Sequence, residues 1–545
     1  MTQPIAMLIE ASGIQNYIFG SNELIQHIGA SELVTQATTD WLFDEHNGLL
    51  PQPHNVQRAQ RGAAARWQIN DQSLADGLAA EVVYAGGGNA LILFASDVVA
   101  QEVACRLTKK VLQDAPGLRL VLARQPFAFG QLAATVNGLR DRIARQKRAP
   151  ERSVPLLGLG VTAACDFTGA PAVGIDKNGR YISAEVAAKQ RMGAPDGAGN
   201  NRLLEYLSDI QLLDFGFIYD FDQLGTPGES SYLAVVHTDG NRMGERIQAY
   251  VDQFSGDDRA YIKAQRQFSQ GVQKAAHAAL VSTVGLLLAP ENLQWDGQER
   301  CYKIGGKVPV SVDDGQERLP FRPIVFGGDD VTFVCEGRLG LPLAAYYLAR
   351  LSEEILPDGD PLYARAGIAI VKTHYPFAQA YALAEELCTS AKNFIRETDR
   401  AKRRVTALDW HFAVTGLVQP LKQIRQREYT VADGSLIMRP LCLAPADPNE
   451  WRSWDVFSEI VEAFVSPLGL WAGRRNKLKA LREALRAGPQ AVSIFLQNLA
   501  DTPQLPQPRA TVSAGDAART GWQGNWCFYF DAIEAADFYV PLKGV

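Results

Sequence analysis

The sequence predicts an α+β protein with two tandem ferredoxin-like units, a linker region between them and a mostly helical C-terminal part. Three observations predict it. The order strand, helix, hairpin, helix, strand occurs twice. A glycine-rich hairpin turn falls in the same place each time, first Gly86-Gly87-Gly88-Asn89 and then Gly327-Gly328-Asp329-Asp330. The length of 545 residues exceeds what one hydrophobic core usually supports, so two to four domains are expected.

The first unit is read as residues 1–148. A strand at Ile5 to Glu10 leads into Ser12-Gly13-Ile14-Gln15-Asn16-Tyr17-Ile18-Phe19 and a helical stretch through Leu33 to Phe43. Short strands near Ala65 to Ile69 and Glu81 to Tyr84 precede the first glycine turn, and the apolar strand Ala90 to Phe94 follows it. A helix near Val98 to Leu112, a strand Arg119 to Ala123 and a helix near Gln131 to Arg148 complete the unit. Residues 149–228, rich in Gly, Pro and Ala, read as a linker with one or two helices.

The second unit, 229–412, repeats the pattern. Ser231 to His237 is a buried strand ending at Thr238-Asp239-Gly240, and a helical region broken at Ser255-Gly256-Asp257-Asp258 follows. Pro323 to Phe326 and Val331 to Cys335 flank the second glycine turn. Helices near Leu341 to Ile355 and Phe377 to Ile395 bracket the strand Tyr363 to Val371, and Val405 to Asp409 reads as a final edge strand. Residues 413–545 are mostly helical, with a polar stretch at Thr502 to Arg509.

Composition narrows the class. Apolar content of 47% and charged content of 21% are those of a globular protein. No run reaches the roughly 18 apolar residues of a membrane span, and no secretory signal is visible, so no membrane and a cytoplasmic location are expected. Seven cysteines without Cys-x-x-Cys spacing suit thiols in a reducing compartment, not a zinc cluster. A net charge of −6 argues against a protein that coats nucleic acid, although Arg140 to Arg152 and Arg400 to Arg404 are basic runs.

The chemistry concentrates in the second unit. Adjacent carboxylates at Asp329 and Asp330 in a tight turn repel each other unless a cation lies between them. Asp239, at the exit of the neighbouring strand, supplies a third carboxylate at the same sheet edge. Three hard oxygen donors there suit a two-metal site, with Mg²⁺ or Mn²⁺, for in-line attack on phosphorus. Gly240-Asn241-Arg242-Met243-Gly244 opens a helix, whose free N–H groups suit phosphate, and Gly240 and Gly244 permit close approach. Lys392 is positioned to reach a triphosphate, with Arg396 one turn beyond. Taken singly, each motif is also an ordinary turn or a surface lysine; their combination in this order carries the argument. His237 reads as a strand residue whose side chain faces away from Asp239.

Together these residues resemble the large polymerase-like subunit of type III CRISPR effector complexes, the palm-type nucleotide cyclases. The resemblance rests on the Ser12 to Phe19 motif and Gly29-Ala30-Ser31. In the second unit it rests on Asp239 to Gly244, the GGDD turn, Ala366-Gly367-Ile368-Ala369-Ile370, and Ala384-Glu385 through Ala391-Lys392. It implies two palm domains, ATP held between them, two divalent ions on Asp239, Gly240, Asp329 and Asp330, and 3′-hydroxyl attack on an α-phosphate. The product would be a cyclic or linear oligonucleotide second messenger in antiviral defence. Gly327 and Gly328 would line the nucleotide. Gly87, Gly88 and Asn89, with Asn89 the one polar side chain of the first turn, would orient a second nucleotide without metal. RNA or other defence-system proteins would be partners, and other nucleoside triphosphates alternative substrates. The sequence departs from the family in lacking a His-Asp nuclease motif and in reducing the zinc module to Cys165-Asp166-Phe167-Thr168-Gly169. A catalytically idle scaffold and a GGDEF-like dinucleotide cyclase are the other readings.

Overall fold

The computed structural model describes residues 3–60, 62–148, 160–212, 214–224, 231–397, 404–413, 419–443, 450–499, 505–507 and 517–545. Residues 149–152 of the first basic run, 400–403 of the second, and 502–504 and 508–509 of the polar stretch lie outside them. The architecture is mixed α/β, with several sheets and a C-terminal helical stretch.

The first sheet runs Ala80–Gly86, Asn89–Phe94, Ile5–Ser12, Arg119–Pro126, antiparallel throughout. The first four strands of the six-stranded second sheet repeat that order: Phe321–Val325, Val331–Glu336, Tyr232–Gly240, Ala364–Lys372. Thr406–Ala413 then adds in parallel. It was expected at the edge, but Leu441–Leu443, from the C-terminal part, pairs beyond it. The strand expected near Ala65 to Ile69 forms as Trp67–Ile69 outside the main sheet, paired with Val56–Arg58.

Strand alternation assigns the faces. Ile5, Met7 and Ile9 from the first sheet share a core with Leu233, Val235, Val334 and Ala369 on one face of the second. Ala6 and Leu8 point the other way, onto Leu132–Arg148. Ala234, Val236, Phe333 and Ile368 pack with Gly340–Leu351 and with C-terminal residues such as Phe457 and Tyr529.

Helix Asp258–Leu288 spans both units. By length and composition alone it reaches the threshold for crossing a membrane, contrary to expectation, because small apolar residues extend its run. Half of its most apolar stretch is buried, with Val272, Ala275 and Ala279 in the core. Its Arg266 donates to the Val82 carbonyl (3.1 Å) and Gln273 to the Ala85 carbonyl (3.3 Å), fixing the first hairpin against the second unit.

Two glycines of the sequence motifs serve packing. A Cβ at Gly29 would lie 1.8 Å from the Lys189 carbonyl oxygen, so this glycine lets helices Leu24–Thr38 and Ala184–Gly193 touch backbone to backbone. A Cβ at Gly367 would lie 1.9 Å from the Ala384 carbonyl oxygen, so helix Phe377–Arg396 lies directly on its strand.

Candidate active site

Register brings the three acids together. Thr238 pairs with Val331, so Asp239 and Asp330 are each one residue beyond the last pair, at the same end of adjacent strands. Asp329 closes over the neighbouring glycine: a Cβ on Gly240 would lie 3.0 Å from Asp329 Oδ2. A side chain at 240 would first strike Met243 Cγ, 2.5 Å from that Cβ, and would crowd Asp329. Gly327 supplies the positive φ of the turn, +100°.

The acids feel one another. The Asp329 carboxyl is pushed up to about 6, first by burial, then by Asp239 and Asp330. Asp330 is pushed up to about 7, by enclosure, then by Asp239 and Glu385, with Arg365 pulling the other way. Half of the Asp330 side chain (49%) still meets solvent, so repulsion among carboxylates is the firmer cause. Glu385, on helix Phe377–Arg396, thus adds a fourth acid to the group.

His237 lies 3.4 Å (Nδ1) from Asp330 Oδ1 and 3.3 Å from Thr332 Oγ1. The expected orientation is corrected: residues 237 and 239 are two apart, and a period of two puts them on the same face. Burial pulls the imidazole below its ordinary range, and so favours the neutral ring.

Arg365 stands directly across the ladder from Asp239 and is buried. One guanidinium nitrogen donates to Asp239 Oδ2; the other donates to the Gly240 carbonyl (3.1 Å) and to Asn241 Oδ1 (3.0 Å). The donor set fits hard divalent ions, as hard oxygens that repel one another without a cation between them. Yet among the described residues no group of three or more His, Cys, Asp or Glu side chains is gathered closely enough to hold an ion as they lie. Asp239 is turned to Arg365.

The two glycine turns face a common cleft. Gly86, Gly87 and Gly88 line it from one side, and Gly327, Gly328, Asp329 and Asp330 from the other, with Trp67, Arg66 and Tyr206 at its walls. An adjoining cavity is lined by Asn89, Met243, Gly244 and Asp329. Other expected residues are elsewhere. Arg242 is exposed and paired with Glu245 (2.5 Å). Asn241 is spent on Arg365 and the Val405 carbonyl. Lys392 and Arg396 continue the Glu385 face of their helix, two and three turns on (roughly 10 and 16 Å), and line neither cavity. In the basic run, Lys147 pairs with Glu10 (2.6 Å) and Arg140 with Gln248.

Sequence reading gave no site role to Arg365, Glu385 or Glu10. The signal for Arg365 was a charge inside the apolar run Ala364 to Val371, since an arginine buried in a strand needs an acidic partner. Glu10 also corrects the first turn: Asn89 is not its one polar side chain, because Glu10 pairs directly with Asn89 across the ladder.

The fold is one shared with solved large subunits of type III CRISPR effector complexes. More particularly, the chain resembles Csm1, the large polymerase/cyclase subunit of type III CRISPR complexes. The solved structure of Csm1 in T. onnurineus matches with a TM-score of 0.52 and 14% identity, over 99% of this chain and 70% of that one. A Csm1–Csm4 cassette in complex with cA4 matches at 0.50 and 13%, and one in complex with AMPPNP at 0.50 and 14%, each with the same coverage. No protein-family profile and no curated protein matches the chain.

Proposed function

We propose that the protein is a metal-dependent nucleotidyltransferase that joins ATP molecules into a cyclic or linear oligonucleotide signal. In this reading residues 1–148 and 229–412 are two ferredoxin-like palm domains, 149–228 a linker and 413–545 a C-terminal helical domain. The observation that carries it is the convergence of Asp239, Asp329 and Asp330 on one sheet edge beside a cleft shared with the first turn. The Csm1–Csm4 cassettes of the same fold are complexes with AMPPNP and cA4, which supports an adenine nucleotide in this cleft. A place in cytoplasmic CRISPR-type defence, with RNA or protein partners, belongs to the same proposal.

Asp239, Asp329 and Asp330, with the Gly240 carbonyl, would hold Mg²⁺ or Mn²⁺, two ions when fully loaded. Bound there, the metal supplies charge neutralisation of the triphosphate and a lowered pKa for the attacking 3′-hydroxyl. The protein does the rest. Gly327 and Gly328 leave the phosphates room beside the turn, and Gly87, Gly88 and Asn89 orient the second nucleotide from across the cleft. Fixing two reactants so is worth roughly 7–11 kcal/mol of barrier. Met243 and Gly244, which line the adjoining cavity, begin a helix whose free N–H groups would suit phosphate. The scaffold reading draws its support from Arg365 holding Asp239.

Pyrophosphate release from ATP with Mg²⁺ or Mn²⁺, and mass spectrometry of the products, test the proposal. Asp329→Ala with Asp330→Ala should lower release at least about a thousandfold, the equivalent of several kcal/mol of charge stabilisation. Unchanged release in that variant removes the site from the chemistry.

A further inference from the structure

Arg365 occupies an unusual place. Its guanidinium bonds the Asp239 carboxylate, the Gly240 carbonyl and the Asn241 amide oxygen at once, all on the strand exit that the proposed site needs for metal. The strand ladder sets it there: Arg365 and Asp239 are paired residues of neighbouring antiparallel strands, so their side chains leave the sheet on one face. The side chain is buried, whereas 37% of the Asp239 side chain is open to solvent. The guanidinium therefore covers Asp239 from the protein side, and an ion would approach from its solvent-open side. The buried Arg365 Nε has no partner, so the fork is not held at every donor. Behind it, the Cys388 thiol is 3.9 Å from the Arg365 carbonyl oxygen.

We infer that Arg365 is a resident cation that competes with divalent metal for Asp239 and the Gly240 carbonyl. Asp329 and Asp330 then take the first ion, and an ion on Asp239 is admitted only as the guanidinium swings off. This rests on the proposed metal site and concerns the order of its loading. A fixed positive charge within one side chain of a divalent cation weakens binding strongly in a partly enclosed site, and its planar fork satisfies carboxylate and carbonyl oxygens together, as a lysine could not. Asn241, caught between Arg365 and the Val405 carbonyl, couples the same strand exit to the start of strand Thr406–Ala413.

Titration of the full chain with Mn²⁺ alone, free ion being read by electron paramagnetic resonance, tests it without turnover. Arg365→Gln should bind the weaker ion at least about tenfold more tightly than the wild type, with the tighter ion changed less than about threefold. Equal affinities for both ions in the two proteins overturn the inference. Loss of the tighter ion in Asp329→Ala/Asp330→Ala tests the site itself, so the two failures are distinguishable. Wild-type crystals soaked in Mn²⁺ give an answer even where Arg365→Gln fails to fold. An ion on Asp239 with the guanidinium displaced supports the inference; an ion there with Arg365 still bonded to Asp239 and Gly240 overturns it.

Discussion

The two units carry the same turn in the same register and differ in the side chains around it. Residues just after each turn, Ala90 and Val331, pair with Ile9 and Thr238, so Glu10 stands where Asp239 does and Asn89 where Asp330 does. Across the next strand pair, Val121 matches Arg365 and Ala123 matches Gly367. In the first unit one acid is held by Lys147, from the last turns of helix Leu132–Arg148. In the second, Asp239, Asp329 and Asp330 lie at one sheet edge with Glu385 near Asp330, and Arg365 bonds Asp239. The sheets are alike; the charge at their ends is not. The difference teaches that the backbone of the turn only sets a stage, and that the neighbouring helix decides what sits on it.

The largest effect expected from closing that gap is at Gly367. Gly367→Ala makes the second strand like the first, but the new Cβ would lie 1.9 Å from the Ala384 carbonyl oxygen and 2.4 Å from the Cys388 nitrogen. Neither atom is a flexible tip, so helix Phe377–Arg396 must lift. Urea unfolding should register a loss of about 3 kcal/mol, and the same lift should carry Glu385 away from Asp330. A variant as stable as the wild type would mean the helix seats on the strand less tightly than the contact requires.

A smaller effect separates the units by pH. The Asp329 and Asp330 carboxyls titrate near 6 and 7 in the fold, above their ordinary value. Between about pH 4 and pH 7 the native state therefore binds more protons than the unfolded chain at these groups, and their contribution to stability falls as pH rises. Metal-free Asp330→Asn should gain on the wild type across that window, by about 1–3 °C in Tm at pH 8 against pH 5. Saturating Mn²⁺ should narrow the gap, because only the wild type recovers its neutralisation. A constant difference across pH would show that the acids do not feel one another.

Much of this was legible in the sequence, and the limits have physical causes. Continuous apolar runs such as Ile5 to Ile9 and Leu233 to Val236 announce buried strands, and the glycine turns announce the hairpins, so the strand content and the placement of Asp239 and Asp330 at one end of adjacent strands could be read. What could not be read depends on side chains crossing between elements. Lys147 reaches Glu10 across 137 positions and Arg365 reaches Asp239 across 126, and no local pattern encodes such a pairing. The Gly367 motif was visible as a string of letters, but its reason, a helix backbone pressed on the strand, is a tertiary fact. The added strand Leu441–Leu443 was hidden because three residues are too few for periodicity to register.

The smallest expected effect is the most exacting test of the comparison. Asn89→Asp gives the first turn an acid opposite Glu10, as Asp330 stands beside Asp239. If carboxylate count at a turn were enough, this change would create a metal site. Three features argue that it will not. Gly88 stands where Asp329 would be, at φ +78°, a conformation that disfavours a side chain. Glu10 is already neutralised by Lys147, whose ammonium would repel an arriving cation. The covering helix ends in Arg145, Lys147 and Arg148, its Asp141 is exposed to solvent, and the strand neighbour is Val121, so the surroundings of the first turn are basic where Glu385 makes those of the second acidic. In an Asp329→Ala/Asp330→Ala background, Asn89→Asp should therefore change Mn²⁺ affinity less than about twofold, because one added carboxylate beside a fixed cation contributes little in a partly solvated site. A tenfold gain would mean that the turn geometry alone selects metal, and that the neighbouring helices do not decide the chemistry of either turn.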